Sequence, residues 1–168
     1  MNVRHTTLDD LPTVMKIFER ARRFMVDSGN PNQWGKTNWP PEDLIRSDIA
    51  AGKSFVCVDG DEIVGTFYYD FGADVEPTYR KIFDGAWKNS SAYGVVHRLA
   101  SSGTRRGVGE FCLMWALNLS GHLRVDTHGD NKVLQHLLGK LGFEHCGTIF
   151  VVQDDAPRLA YEKFLVTT

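Results

Sequence analysis

Residues 93–120 read Tyr-Gly-Val-Val-His-Arg-Leu-Ala-Ser-Ser-Gly-Thr-Arg-Arg-Gly-Val-Gly-Glu-Phe-Cys-Leu-Met-Trp-Ala-Leu-Asn-Leu-Ser. The apolar, β-branched run 93–99 predicts a strand, and the small, glycine-rich, basic run 100–109 predicts a turn. Val108, Phe111, Cys112, Trp115 and Leu119 then recur at helical spacing, and Gly121 supplies a stop. A strand, a glycine loop and a helix in that order aim backbone N–H groups and a helix N-terminus at an anion. Gly107 and Gly109 permit close approach of the main chain, and Arg105 and Arg106 add positive charge at the same place. Residues alone leave two readings open: a phosphate-binding loop, or an ordinary strand-to-helix turn with a solvated arginine pair.

Counting excludes two common nucleotide loops. A dinucleotide fingerprint needs glycine three residues past Gly109, where Cys112 stands. A mononucleotide loop ending in Gly52-Lys53-Ser54 would need its first glycine at Ser47.

The length of 168 residues suits one domain, 1–168, large enough to bury roughly 70% of the surface its unfolded chain exposes. A hydrophobic content of 42% with 24% charged residues is that of a soluble globular protein. The net charge of −2 gives no general electrostatic reason to expect a nucleic-acid partner. No apolar run reaches membrane-spanning length, and the start Met-Asn-Val-Arg-His-Thr-Thr is too polar for a signal peptide. Cys57, Cys112 and Cys146 are odd in number and widely spaced in apolar surroundings. They read as reduced core thiols of a cytoplasmic protein.

Around the central stretch, residues 1–5 predict a short strand, and Thr7 with Asp10 predicts a capped helix through about Val26. Its Leu11, Val14, Met15, Phe18, Ala21 and Met25 share one face, and Lys16, Glu19, Arg20 and Arg23 face water. Trp34 and Trp39 follow in a loop, as a small satellite core or as the wall of a cleft. A second helix starts at Pro40-Pro41-Glu42-Asp43, with Leu44, Ile45 and Ile49 on its apolar face and Gly52 at its end. Residues 54–58 and 62–70 predict a hairpin across Asp59-Gly60-Asp61. The irregular interval 71–91 is long enough to suggest a function, with Glu76, Tyr79, Asp84 and Trp87 as candidate lining residues. Residues 123–127 alternate as a strand, with Arg124 and Asp126 on one face. His128-Gly129-Asp130-Asn131 then turns into a helix carrying Val133, Leu134, Leu137, Leu138 and Leu141. Gly142 closes that helix, Phe143 opens a last strand region, and residues 149–152 and 159–165 are expected to pair.

Thr104-Arg105-Arg106-Gly107-Val108-Gly109 resembles the acetyl-CoA pyrophosphate loop of the GNAT acyltransferases, whose pattern is Gln or Arg, two residues, Gly, one residue, Gly or Ala. Thr104 departs at the first position. A second motif agrees: Asn131, an apolar helix, then Lys140-Leu141-Gly142-Phe143 is similar to the family's later segment. The order of elements also resembles that family along nearly the whole chain. The resemblance implies an α/β fold with a mixed central sheet of six to seven strands flanked by about four helices. It implies acetyl-CoA as acyl donor, bound in a splay between the strand ending near Leu99 and the strand 123–127. The main chain at Leu99 and Ala100 would pair with the pantetheine, Thr104, Arg105, Arg106, Gly107, Val108 and Gly109 would hold the pyrophosphate, and Asn131 would lie near the pantetheine. No metal is implied.

The family often places a tyrosine as thiolate acid four residues before the second motif's glycine, a position held here by Leu138. Other candidates for acid–base work are His97, Tyr93 on the same strand face, and Asp126 on the neighbouring strand. The expectation is a cytoplasmic N-acetyltransferase acting on a primary amine of a small molecule or protein. Its expected partners are acetyl-CoA and the amine, without nucleic acid or membrane, and with a homodimer as an option. The alternative is a CoA-binding module that no longer transfers acyl groups, since Thr104 and Leu138 both depart from pattern.

Overall fold

The computed structural model describes residues 1–152, 154 and 156–165. Seven strands form one mixed sheet in the order β1-β2-β3-β4-β5-β7-β6. They are β1 Asn2–His5, β2 Ser54–Asp59, β3 Glu62–Gly72, β4 Tyr93–Ser101, β5 His122–His128, β6 Glu144–Phe150 and β7 Pro157–Phe164. The four α-helices are α1 Leu11–Asp27, α2 Glu42–Ala50, α3 Val108–Ser120 and α4 Lys132–Lys140.

Local chemistry explains most of these boundaries. Asp10 accepts the Thr7 N–H at 2.8 Å and the Arg4 guanidinium at 2.6 Å, which fixes the turn that leads into α1. Asn131 caps α4 by accepting the Leu134 N–H at 3.1 Å. The two-residue turn Gly60-Asp61 joins β2 to β3, antiparallel as its tight hairpin requires. The crossover through α3 makes β4 and β5 parallel.

Strand alternation sorts the core into two faces. Phe55, Cys57, Phe67, Val96, Leu123 and Val125 pack with α3 and α4, whereas Val56 and Ala100 pack with α1. On the α1 side, the segment between β3 and β4 folds down over the sheet. Its Tyr79 packs against Tyr93, Val95, Ile149 and Ala160.

Some readings need correcting. β6 begins at Glu144, next to the expected Phe143, but its pairing with β7 extends from Glu144 opposite Glu162 to Phe150 opposite Pro157 and is not confined to residues from 149 onward. Leu119 is exposed in the last turn of α3, and the buried stripe runs instead through Cys112, Leu113, Ala116 and Leu117. Arg20 is exposed, as expected, yet it also makes a contact. Its guanidinium lies over Gly103, where any side chain would collide with it, and Nη1 donates to the Ser101 carbonyl at 3.3 Å. Cys57 and Cys112 are core thiols, but Cys146 is half-buried, and burial beside the Glu162 carboxylate pushes it up to about 11. Leu138 is completely buried in the main core, as its place on the apolar face of α4 predicts, so the position that the resemblance links to a thiolate acid does not line the cleft described below.

Candidate functional site

Two features of β4 open the sheet at its centre. First, β4 and β5 pair only at Gly94–Leu123 and Val95–Arg124, so the strands separate beyond Val95. Second, β4 carries one extra residue: Thr66 faces Ala100, yet Tyr68 faces His97. Arg98 takes a left-handed φ of 52° within this bulge. Asp48 of α2 holds the Arg98 guanidinium at 2.7 Å, and the Tyr68 ring lies 4.6 Å beneath it. Burial pushes the Asp48 carboxyl up, although the arginine partly offsets this.

The opening is a slot through the sheet, part of a cleft of about 580 Å³. Val96, Leu99, Val125 and Leu134 line it from the α3–α4 side, and His97, Asp126 and Glu76 from the α1–α2 side. Trp34, Trp39, Met25 and Leu44 form the outer wall. Trp34 is buried and packs edge-on against Phe18. The two readings of the tryptophans are thus both true: Trp34 is satellite core and cleft wall at once.

At the floor of the slot, His97 Nε2 donates to Glu76 Oε2 at 2.7 Å, and His97 Nδ1 lies 3.6 Å from Asp126 Oδ1. Tyr79 donates its O–H to the same Asp126 Oδ1 at 2.6 Å. Burial would raise Glu76, but the His97 imidazole and two Thr78 donors outweigh it and hold the carboxyl at about 2. Burial, reinforced by the Asp126 charge, pushes the Tyr79 phenol well above its ordinary value. Tyr93, expected among the acid–base residues, does not reach the slot. It is buried between Tyr79 and Arg124, because its outward face is covered by the segment between β3 and β4.

At the other mouth, the glycine loop ends in Gly107, whose φ of 78° is the left-handed conformation that favours glycine. No side chain caps α3 here, and the first intrahelical donor is Phe111 N–H to the Gly107 carbonyl. The N–H groups that open the helix are therefore left for an anion. Arg106 is exposed and has no ion-pair partner among the described residues, while Arg105 Nε pairs with Asp59 at 3.0 Å. Thr104 Oγ1 bonds Glu62 at 2.8 Å and Ser102 at 2.7 Å, so the departing position braces the loop. Val108 is buried, Gly109 sits beside Leu137 and Leu99, and Leu99 lines the slot. The Ala100 side chain is buried towards α1, leaving only its main chain for any ligand. Asn131 lines the cleft, and its Nδ2 donates to Gln33 at 3.1 Å.

Asp48, Gln33 and Arg158 also belong to the site or its frame, beyond the residues singled out from the sequence. Asp48 falls on the apolar stripe of α2, between Ile45 and Ile49, where a carboxylate signals a buried partner. Arg158 and Glu162 alternate with buried Ala160 on one face of β7, which is the same kind of signal. Gln33 carries no such signal. Among the described residues, no helix is long and apolar enough to cross a membrane.

No family model matches the sequence, and no curated protein matches it either. Solved structures do. A GNAT-family acetyltransferase from Streptococcus agalactiae 2603 is 28% identical, with a TM-score of 0.88, covering 99% of this chain and 96% of that one. A ribosomal-protein-alanine N-acetyltransferase from Brucella melitensis shares the fold at 18% identity and a TM-score of 0.63, over 98% of this chain and 100% of the other. So does a chain of the NatC complex bound to Gag peptide and CoA, at 11% identity and a TM-score of 0.61, over 99% of this chain and 100% of that one. A sheet divided between two parallel neighbours, matched along its length by acetyltransferases, defines the class. The chain belongs to the GNAT superfamily. Acetyl transfer from acetyl-CoA is the activity at the level of that family.

Proposed function

We propose that this protein is an N-acetyltransferase that moves an acetyl group from acetyl-CoA to a primary amine. One observation carries the reading: the slot between β4 and β5 has an uncapped helix N-terminus at one mouth and a carboxylate–imidazole floor at the other. An anionic cofactor and a cationic amine suit these two ends, and the slot lets them meet within the sheet.

The N–H groups of Val108 and Gly109, with Arg106 and Arg105 beside them, would hold the pyrophosphate. Thr104 would brace the glycine loop, and the main chain at Leu99 and Ala100 with Asn131 at the α4 cap would align the pantetheine arm. Acetyl-CoA supplies the thioester carbonyl that the amine attacks. Bulged main-chain N–H groups of β4 stand beside the slot, where developing negative charge on the carbonyl oxygen needs donors. His97 and Asp126 face the amine's end of the slot and would carry its proton away. The free thiols Cys57, Cys112 and Cys146 support a reducing, cytoplasmic setting.

The test is thiol release from acetyl-CoA over a panel of small amines and peptide N-termini, with the acetylated product weighed by mass spectrometry. The reading expects release that depends on the amine, and a product heavier by one acetyl group. CoA binding by thermal shift without turnover on any amine would instead make this chain a binding module.

A further inference from the structure

The floor of the slot contains three groups able to take a proton, and hydrogen bonding has already committed most of their atoms. His97 Nε2 is engaged by Glu76, and Nδ1 lies 3.6 Å from Asp126 Oδ1, beyond hydrogen-bonding distance, so the imidazole leans on the carboxylate without taking either of its oxygens. Glu76 Oε2 accepts from His97, and its Oε1 accepts from the Thr78 N–H at 3.1 Å and the Thr78 hydroxyl at 2.7 Å. Asp126 Oδ1 accepts from the Tyr79 O–H. Asp126 Oδ2 has no hydrogen-bond partner among the described residues, and Asp126 lines the cleft.

We propose that Asp126 Oδ2 is the atom that takes the amine proton, and that Tyr79 is the positioning residue that aims it. This rests on the acetyl-transfer reading above. The neutral amine nitrogen bonds to the acyl carbon, and the carbon–sulfur bond breaks with its electron pair leaving on sulfur. The extra proton on nitrogen passes to Asp126 Oδ2 and from there through water to the departing thiolate, so the products are the acetylated amine and free thiol.

Tyr79 fits a positioning role for three reasons. It is 2% exposed and touches no cleft space, so it acts only through another residue. Its ring is fixed by Trp87 at 5.2 Å and Tyr93 at 6.1 Å. Its main-chain carbonyl accepts the Trp87 indole N–H at 2.8 Å. A carboxylate with one oxygen tied to so rigid a donor has its other oxygen held in one direction.

The charged and titratable groups near Asp126 come from every neighbouring element. His97 and Tyr79 touch it, Glu76, Arg98, Asp154, Arg158 and Lys36 line the same cleft, and Tyr93 and Arg124 stand beside Tyr79 and along β5. Arg158 is bound by Asp154 at 2.7 Å, and Arg124 by Glu162 at 3.3 Å, so Tyr79 is the neutral donor fixed on Asp126.

The experiment compares pH profiles of kcat/KM for the native chain, Asp126→Asn, Tyr79→Phe and a variant carrying 3-fluorotyrosine at position 79, with folding checked by thermal midpoint. Asp126→Asn should lose roughly 100-fold or more across the profile. Tyr79→Phe removes a donor to the carboxylate, so the acidic limb should move to higher pH and the plateau fall about 10-fold. Fluorination strengthens the same donor without changing volume, so the limb should move to lower pH. The fluorinated variant therefore decides the matter even where Tyr79→Phe does not fold. Native-like turnover by Asp126→Asn overturns the proton acceptor. A uniform loss with an unmoved limb in both Tyr79 variants overturns the positioning role. No acetyl transfer by the native chain to any amine overturns the underlying reading and this inference with it.

Discussion

β5 carries two buried constellations of the same chemical type on the same face. At its start, Glu162 accepts from His122 Nε2 at 2.9 Å and from Arg124 Nε at 3.3 Å, and the Arg124 guanidinium lies between the Trp87 and Tyr93 rings, 4.2 Å from each. At its end, Asp126 meets His97, Glu76 and Tyr79. The first is sealed: the Glu162 side chain has no exposure, and its other oxygen accepts the Lys88 N–H at 2.6 Å. The second opens on a cleft with one carboxylate oxygen unspent. The strands make the difference. β4 and β5 are hydrogen-bonded beside Arg124 and apart beside Asp126. Imidazole and carboxylate side by side are therefore no sign of catalysis by themselves. An unfilled acceptor and a route to it are.

The comparison predicts opposite phenotypes at the two ends. Glu162→Ala leaves Arg124 and His122 buried without their carboxylate and frees the segment anchored at Lys88. Its denaturant midpoint should show a loss of about 3–5 kcal/mol. A loss below 1 kcal/mol would mean that the sealed network pins nothing.

Glu76 sharpens the contrast through pH. Its carboxyl is held at about 2 against an ordinary 4.5, so the stability it contributes is complete above about pH 4.5 and is lost as pH falls through 2. At about 1.4 kcal/mol per pH unit this amounts to at most about 3.5 kcal/mol. Glu76→Gln should flatten the fall in stability across that window, with Asp10, held at about 2 by Arg4, keeping part of the slope. An unchanged slope would remove Glu76 from the account.

His97→Gln should lower turnover by roughly 100-fold with CoA affinity unchanged, since only the acid–base end is altered. Equal losses in turnover and in CoA affinity would instead make His97 part of the cofactor's bed. Gly107→Ala should weaken CoA binding by about 10-fold, the cost of one charge-assisted hydrogen bond. It should also cost about 1–2 kcal/mol of stability, because alanine resists the left-handed φ of 78°. Unchanged affinity in titration calorimetry would refute the phosphate assignment.

Much of this architecture is local and therefore legible. The glycine loop, the Asn131 cap, the hairpin at Gly60 and the α3 crossover each follow from a few adjacent residues. The insertion of β7 between β5 and β6 is not local, and no short pattern announces it. The site divides the same way. His97 and Asp126 could be picked from strand alternation. Their partners Glu76 and Tyr79 stand 21 and 47 residues away in an irregular segment, and only the fold brings them together. Leu138 misleads for the same reason. Motif spacing matched it to a catalytic tyrosine, yet its helix register turns it into the core, where Leu138→Tyr would overpack at a cost of about 1–3 kcal/mol.

The central claim is that chemistry belongs to the open constellation and stability to the sealed one. The most direct test measures kcat/KM for Asp126→Asn and Glu162→Gln in one acetyl-transfer assay, each normalised to its folded fraction. The account predicts a loss of roughly 100-fold or more for Asp126→Asn and activity within about threefold of native for Glu162→Gln. Equal losses in the two variants, or the larger loss at Glu162, would contradict it.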